Sequence, residues 1–329
     1  MHLDSDLAVG EFVPPLGLRH RHLQSMLPGW ALRARILSKS AAPLLQASTP
    51  ELLECDGGVR LLGYYSGQTG PASGLAIFLH GWEGCADSSY VVSAGAALYE
   101  AGFDIFRLNF RDHGNTHALN VDLFHSCRID EVVDAIRLIV ARHPAPRSIL
   151  VGHSLGGNFA LRAATRSGLG LDRVIAICPV LKPHSTMQAL EEGLWVYRHY
   201  FLRRWRRSLL AKASSFPERY DFGDLRRFPT LTATTDFFVK QYTEFQDLDS
   251  YLRGYSITGR VLSDLSVPAR LIVSVDDPVI PVSDLPDLAR HEALSITISE
   301  RGGHCGFLDG YGLKSWLDQA LVRALAPAR

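Results

Sequence analysis

What the chain lacks narrows its class before any motif is read. Cysteine is sparse: five thiols in 329 residues, at positions 55, 85, 127, 178 and 305, with no C-x-x-C pair. That odd, scattered set excludes a disulfide framework and a zinc ribbon. Charge of one sign is lacking too. The 34 basic side chains balance 34 acidic ones, which leaves no net field to draw the chain to nucleic acid or to an anionic membrane. No run of 18 apolar residues occurs, so no segment reads as a membrane span. The first six residues carry two acids and no apolar core, so no signal peptide is expected, and the default setting is the reducing cytoplasm. P-loop, G-x-G-x-x-G and H-E-x-x-H patterns are missing, as are repeats and low-complexity tracts. Nothing therefore calls for a nucleotide, a metal or any other cofactor.

What is present is an apolar composition, 47% hydrophobic, enough for a large core, and a regular alternation of two patterns. Two β-like runs flank Asp56-Gly57-Gly58 and predict a hairpin. Residues 75–79 (LAIFL) form a continuous apolar run, as expected of a strand buried on both faces of a parallel sheet. Residues 88–100 read as a helix and 103–108 as the next strand. Val132, Val133, Ile136, Ile139 and Val140 recur at helical spacing, and further strands are expected at 148–151, 174–178, 269–275 and 294–298. The expected fold is α/β: a mostly parallel central sheet with helices on both faces. Residues 1–49 read as an irregular N-terminal arm packed on the core. Residues 50–181 and 263–329 form the core domain. Residues 182–262, aromatic and arginine-rich without a strand signal, read as a helical lid inserted into it. Tyr197, Phe201, Leu202, Trp205 and Leu209 share one helical face there, and residues 195–212 hold six basic residues and no acid. Such a helix could touch an anionic membrane surface or an acyl-phosphate group; the plainer reading is a solvated face over a lid core.

The chemistry centres on Gly152-His153-Ser154-Leu155-Gly156, between a predicted strand and a predicted helix. A serine at the apex of such a turn is held in a strained conformation beside the free N–H groups of a helix start, and its neighbours must be small. A serine hydroxyl needs a base and a group that orients the base, and in parallel sheets functional groups gather at the carboxyl ends of strands. Asp276 and Asp277 follow one such strand and His304 follows another. The order Ser154, Asp277, His304 is that of a nucleophile, an acid and a base in a strand–turn–helix hydrolase. Asp276 is the alternative acid. The two N–H donors for an oxyanion are expected from Leu155 and, in the His80-Gly81-Trp82-Glu83-Gly84 loop, from Trp82. His80 reads as a loop anchor, and Arg111-Asp112-His113-Gly114 as a hydrogen-bonded clamp or a substrate contact. His125 and Asp130 form an H-x-x-x-x-D pattern, found in some acyltransferases, at a loop-to-helix junction.

These motifs together resemble the YheT-like, abhydrolase-domain branch of the α/β-hydrolase superfamily. His22-Leu23-Gln24-Ser25 is similar to its N-terminal His-Leu-Gln-Thr signature, and residues 80–90 to its oxyanion loop. Asn109 to Gly114 sits where the branch has an Arg-Gly-x-x-Gly-like segment. Val275-Asp276-Asp277-Pro278 and Gly302-Gly303-His304-Cys305-Gly306-Phe307 resemble its acid and histidine motifs. The resemblance implies a Ser154–His304–Asp277 triad and hydrolysis of carboxylic esters with medium or long acyl chains, or acyl transfer to an alcohol. The implied partner is a small-molecule or lipid ester. The chain departs from the branch at Asp112-His113 and in the arginine-rich lid.

Overall fold

The computed structural model describes residues 12–325. The first eleven residues of the expected arm lie outside the described residues. The remainder of the arm is not irregular. After α1 (Arg21–Met26) comes α2 (Ala31–Gln46), a 16-residue helix. Pro43 sits inside its last turns, where it removes one hydrogen bond and crowds the carbonyl four residues back, a cost of ~3 kcal/mol. The run before it is rich in alanine, leucine and arginine, all strong helix formers. Leu37, Ala41 and Leu44 fall on one buried stripe.

A β-hairpin follows, β1 (Ser48–Glu54) and β2 (Arg60–Ser66), turned through Gly57 and Gly58, both at positive φ. Strand β3 (Leu75–Leu79) leads into α3 (Ser89–Glu100), and β4 (Asp104–Leu108) into α4 (Ile129–Arg142). Strand β5 (Ser148–His153) leads into α5 (Leu155–Ala163), and β6 (Arg173–Ile177) closes the first half. Four helices follow: α6 (Pro183–Glu192), α7 (Trp195–Ser215), α8 (Leu231–Tyr242) and α9 (Leu248–Gly254). Strands β7 (Ala269–Ser274) and β8 (Leu294–Ser299) and helix α10 (Trp316–Leu325) complete the chain.

All eight strands form one sheet in the order β1-β2-β4-β3-β5-β6-β7-β8. The hairpin strands pair antiparallel, as does β2 with β4, and every later pairing is parallel. The strands on either side of the helical block pair directly, β6 with β7. Strand β3 shows why a continuous apolar run is needed. Leu75, Ile77 and Leu79 join the core on one face with α4 and α5, while Ala76 and Phe78 join the core on the other with α2, α3 and α10. Each such fully buried Leu, Ile or Phe contributes roughly 1.5–3 kcal/mol of transfer free energy.

The block between β6 and β7 contains no strand among its described residues. On α7, Tyr197, Leu202, Trp205 and Leu209 are buried and Phe201 is half-buried, while Arg203, Arg204 and Arg207 face solvent. Lys212, the last of the six basic residues, is not on a solvated face. Its side chain is fully buried, with Nζ 2.7 Å from Asp112 Oδ1 and donating also to the carbonyls of Asn120 (2.6 Å) and Asp122 (3.0 Å). Burial pushes the Lys212 ammonium down and the Asp112 carboxyl up, and the charge of each opposes the shift of the other. No described helix is long and apolar enough to cross a membrane.

Candidate active site

Ser154 stands between the end of β5 and the first turn of α5 with φ 53° and ψ −118°. That is a costly backbone for an L-residue, tolerated where the surroundings over-determine it. Here they do. A Cβ on Gly152 would fall on the Gly156 carbonyl, and one on Gly156 would fall on the carbonyls of Leu79 and His80. The turn is therefore paved by close backbone contacts that only glycine permits, and Ser154 N–H is tied to Ile177 O at 2.8 Å.

The structure brings the three sequence-predicted residues together. His304 Nε2 lies 3.0 Å from Ser154 Oγ, and His304 Nδ1 lies 2.9 Å from Asp277 Oδ2. Asp277 Oδ1 accepts the N–H groups of Val279 and Ile280 at 2.8 and 3.0 Å. One carboxylate oxygen is thus fixed by two N–H groups and the other is free to accept from the imidazole, whose Nδ1 carries the proton. Burial is the largest single influence on the His304 imidazole and lowers it, but Asp277 and the adjacent Cys305 together more than offset it and raise the group well above its usual 6.5. Asp276, the alternative acid, faces elsewhere: its Oδ1 accepts Gly303 N–H at 2.9 Å. With Ser274 Oγ donating to Gly303 O at 2.8 Å, it clamps the loop that carries His304.

The N-terminal His-Leu-Gln-Ser segment has a physical role that its sequence did not reveal. Ser25 Oγ accepts His304 N–H at 2.8 Å. Gln24, fully buried, accepts Leu308 N–H at 2.7 Å and donates to Leu308 O at 3.1 Å and Leu18 O at 2.8 Å. His22 Nδ1 is 2.9 Å from Tyr197 OH on α7. The segment therefore ties the histidine loop to the helical block.

The loop after β3 is fixed by its own histidine. His80 Nδ1–H donates to Gly81 O at 2.7 Å and Nε2 accepts Phe110 N–H at 3.1 Å; burial lowers its imidazole to about 4, so it is a neutral anchor. Tyr90 OH accepts Gly81 N–H at 2.9 Å. Trp82 and Leu155 line the same cavity as Ser154, and Leu155, the first residue of α5, has an N–H with no preceding turn to receive it. Residues 111–113 form a clamp. Arg111 pairs with buried Glu131 at 2.6 Å, Asp112 holds Lys212 and accepts Phe124 N–H at 2.8 Å, and His113 Nδ1–H donates to Arg111 O at 2.7 Å. His125 and Asp130 are not brought together. Asp130 is exposed and pairs with Arg166 at 3.6 Å, whereas His125 lines the cavity.

That cavity is narrow, about 90 Å³, and walled by Trp82, Phe201, Trp205, Leu231 and Phe238. The Trp82 and Phe201 rings stack at 5.2 Å. A hydroxyl hydrogen-bonded to an oriented imidazole, opening on an apolar slot, can attack an electrophile and pass its proton on. Among the described residues, Cys178, His304 and Cys305 are the one group of three whose donor atoms could share a metal, all within 4.8 Å; His304 Nε2 is already committed to Ser154.

Comparison with known proteins gives a consistent set of likenesses. A family model described as alpha/beta hydrolase fold matches residues 77–214. Over 202 residues, 54% of this chain and 47% of the relative, the chain is 27% identical to monoacylglycerol lipase ABHD2 of Danio rerio. Over 324 residues, 94% of this chain and 92% of the relative, it is 24% identical to the putative esterase YheT of Escherichia coli (strain K12). The chain therefore spans about half the length of the lipase and nearly all of the esterase. Among solved structures it is similar to a 2,6-dihydroxy-pseudo-oxynicotine hydrolase, with a TM-score of 0.58, 18% identity and coverage of 88% of this chain and 72% of that one. It is also similar to the Pyrococcus furiosus esterase Pf2001, with a TM-score of 0.54, 13% identity and coverage of 85% and 91%. At these identities the structural likeness concerns the fold.

Proposed function

We propose that this chain, which has the α/β-hydrolase fold, is a serine hydrolase cleaving carboxylic esters. The observation that carries the reading is the continuous path from Ser154 Oγ through His304 to Asp277, with steps of 3.0 and 2.9 Å. Ser154 Oγ attacks the acyl carbonyl carbon as His304 Nε2 takes its proton. The oxyanion accepts the N–H groups of Leu155 and Trp82. Collapse of the tetrahedral species expels the alcohol, which receives the proton from His304, and water then repeats the sequence on the acyl-enzyme. Asp277 stays ionised, holding the tautomer and stabilising the imidazolium. The helices from 182 to 262 act as a lid, and their aromatic side chains favour medium or long acyl arms. The names of the relatives, an esterase and a monoacylglycerol lipase, support the same substrate class. Five free thiols suit the reducing cytoplasm in which we place the enzyme.

The test is Ser154→Ala assayed on p-nitrophenyl esters from acetate to laurate. Wild-type turnover should rise with chain length, and the variant, folded by circular dichroism, should lose ~10⁵-fold or more in kcat. Undiminished turnover would remove Ser154 from the reaction, and a strict acetate preference would remove the acyl slot. Transfer of the acyl group to added alcohol in preference to water would assign the same residues to an acyltransferase.

A further inference from the structure

The cavity wall carries two polar atoms that the protein leaves without partners. His125, 4% exposed, and Thr186 both line the cavity that holds Ser154. His125 Nδ1 and Thr186 Oγ1 are buried, and neither has a hydrogen-bond partner. Native proteins leave few such atoms unpaired, because each gives up its hydrogen bonds to water without replacement. Two in one cavity mark a place built for something the protein does not supply.

Their chemistry says what it is. His125 Nε2 lies 3.4 Å from Glu244 Oε2. A carboxylate only accepts, so Nε2 carries the proton and the unpartnered Nδ1 keeps a bare lone pair. Burial lowers this imidazole to about 3, and the nearby Arg128, Arg111 and Arg162 add to the effect, so it is a neutral acceptor. The Thr186 hydroxyl is free to donate. Tyr251 lines the same cavity: its ring is 6.4 Å from that of His125, and its helix α9 packs on α6, which carries Thr186. Tyr251 OH is itself spent on Ser126 Oγ at 3.2 Å. A carbonyl cannot donate to Nδ1 and an ammonium cannot accept from Thr186, but a hydroxyl does both.

Resting on the reading of this cavity as an ester site, we propose that His125 and Thr186 form a polar subsite for a hydroxyl group on the cavity-bound arm of the substrate. The enzyme then selects hydroxylated esters over plain alkyl esters of the same length. The other hydroxyls placed above, those of Ser126, Ser154 and Tyr251, are already hydrogen-bonded, so a plain chain leaves these two atoms unpaired, and a site of this kind penalises the analogue that lacks the hydroxyl.

The experiment uses the folded wild-type protein and the variants His125→Phe and Thr186→Val. The first keeps a ring against Phe245 and Tyr251, and the second keeps the side-chain shape. Binding of octanamide and of a positional series of hydroxyoctanamides is measured by calorimetry, which needs no turnover. Hydrolysis of the matching p-nitrophenyl esters is measured in parallel. At one hydroxyl position, wild type should bind and hydrolyse the hydroxylated compound ~10-fold better or more, and either variant should bring that ratio towards one. A ratio of one at every position in wild type overturns the proposal and leaves an ordered water only as the partner of the two atoms. A ratio unchanged in both folded variants overturns it equally. Selective binding of a hydroxylated amide by a protein that hydrolyses no ester sinks the hydrolase reading while the subsite stands. If one variant does not fold, the other and the wild-type ratios decide.

Discussion

The rim of the sheet and the helical block above it meet in one cavity, yet they are held by opposite means. At the rim the backbone itself is the scaffold. Ser154, Cys178 and Cys305 all have positive φ, and Gly306 leaves no room for a Cβ against the Gln24 carbonyl. Asp276, Asp277 and Ser274 each have a fixed partner within 3.0 Å. In the block the scaffold is side chains. Trp205 meets Phe238 edge-on at 5.7 Å, and one buried lysine from α7 is fastened to the loop after β4. The contrast teaches where adaptability sits. Groups that must move a proton tolerate little misplacement, while a wall of aromatic side chains can repack around different acyl arms.

The strongest way to break this comparison is to disturb the two neighbouring aspartates. Asp277→Asn should cut kcat by ~10⁴-fold, because the amide favours the wrong imidazole tautomer. Asp276→Asn weakens a loop clamp and should cost about tenfold. Steady-state kinetics on one ester checks both. A reversal of the two magnitudes would make Asp276 the acid and the rim less rigid than its hydrogen bonds imply.

The block should fail differently. Lys212→Met leaves the Asp112 carboxylate and the carbonyls of Asn120 and Asp122 buried without their cation. Removing one partner of such a pair costs about 3–5 kcal/mol. Urea titration should register that loss, whereas kcat per folded molecule should change less than Asp276→Asn changes it. A variant as stable as wild type would mean that aromatic packing alone holds α7 down.

Protonation separates the regions again. In the proposed reaction His304 must be neutral to accept the serine proton, and its imidazole is held well above 6.5 by Asp277 and Cys305 together despite burial. Activity should therefore fall as pH drops through that raised value, with the acid limb of kcat/KM lying above 6.5. The stability contribution runs the other way: it is complete below 6.5 and is lost as pH rises through the folded value. His125, held down to about 3 mainly by its burial, stays neutral across the same range. Asp277→Asn should bring the acid limb down. A limb at or below 6.5 in wild type would show that Asp277 and Cys305 do not outweigh the burial of the base.

Much of the rim was legible because period and motif report on it directly. The run 75–79 had to be buried on both faces, and strand–serine–helix spacing located the elbow. What stayed hidden were roles that depend on contacts remote in sequence. Lys212 reads as one more cation on a basic helix until Asp112, 100 positions away, is seen beneath it. The segment read as irregular contains a 16-residue helix in spite of Pro43, because the buried stripe of Leu37, Ala41 and Leu44 returns more than one proline costs. The H-x-x-x-x-D pattern paired His125 with the wrong acid, since spacing along a chain does not say that Asp130 points to Arg166. Gln24 and Ser25 could be matched to a signature but not explained, for the loop they hold lies about 280 residues on.

Ser25 offers the finest test of the contrast. Its hydroxyl accepts the backbone N–H of His304 and donates to Arg21 O, both at 2.8 Å. It is not part of the cavity lining, and its bond to the His304 N–H fixes where the base starts from. Ser25→Ala leaves that N–H unpaired at a cost of about 1 kcal/mol. If the loop shifts to find another partner, the Nε2–Oγ distance lengthens, kcat falls ~3–10-fold, and KM and the acid limb stay in place, because Asp277 and the cavity are unchanged. Ser38→Ala removes a hydroxyl of the same kind from an exposed turn of α2, where Ser38 Oγ donates to Arg35 O, and should leave kcat as it was. Equal kcat for the two variants would mean that the histidine loop keeps its place without the N-terminal clamp, and that the rim's rigidity comes from its glycines and its two aspartates alone.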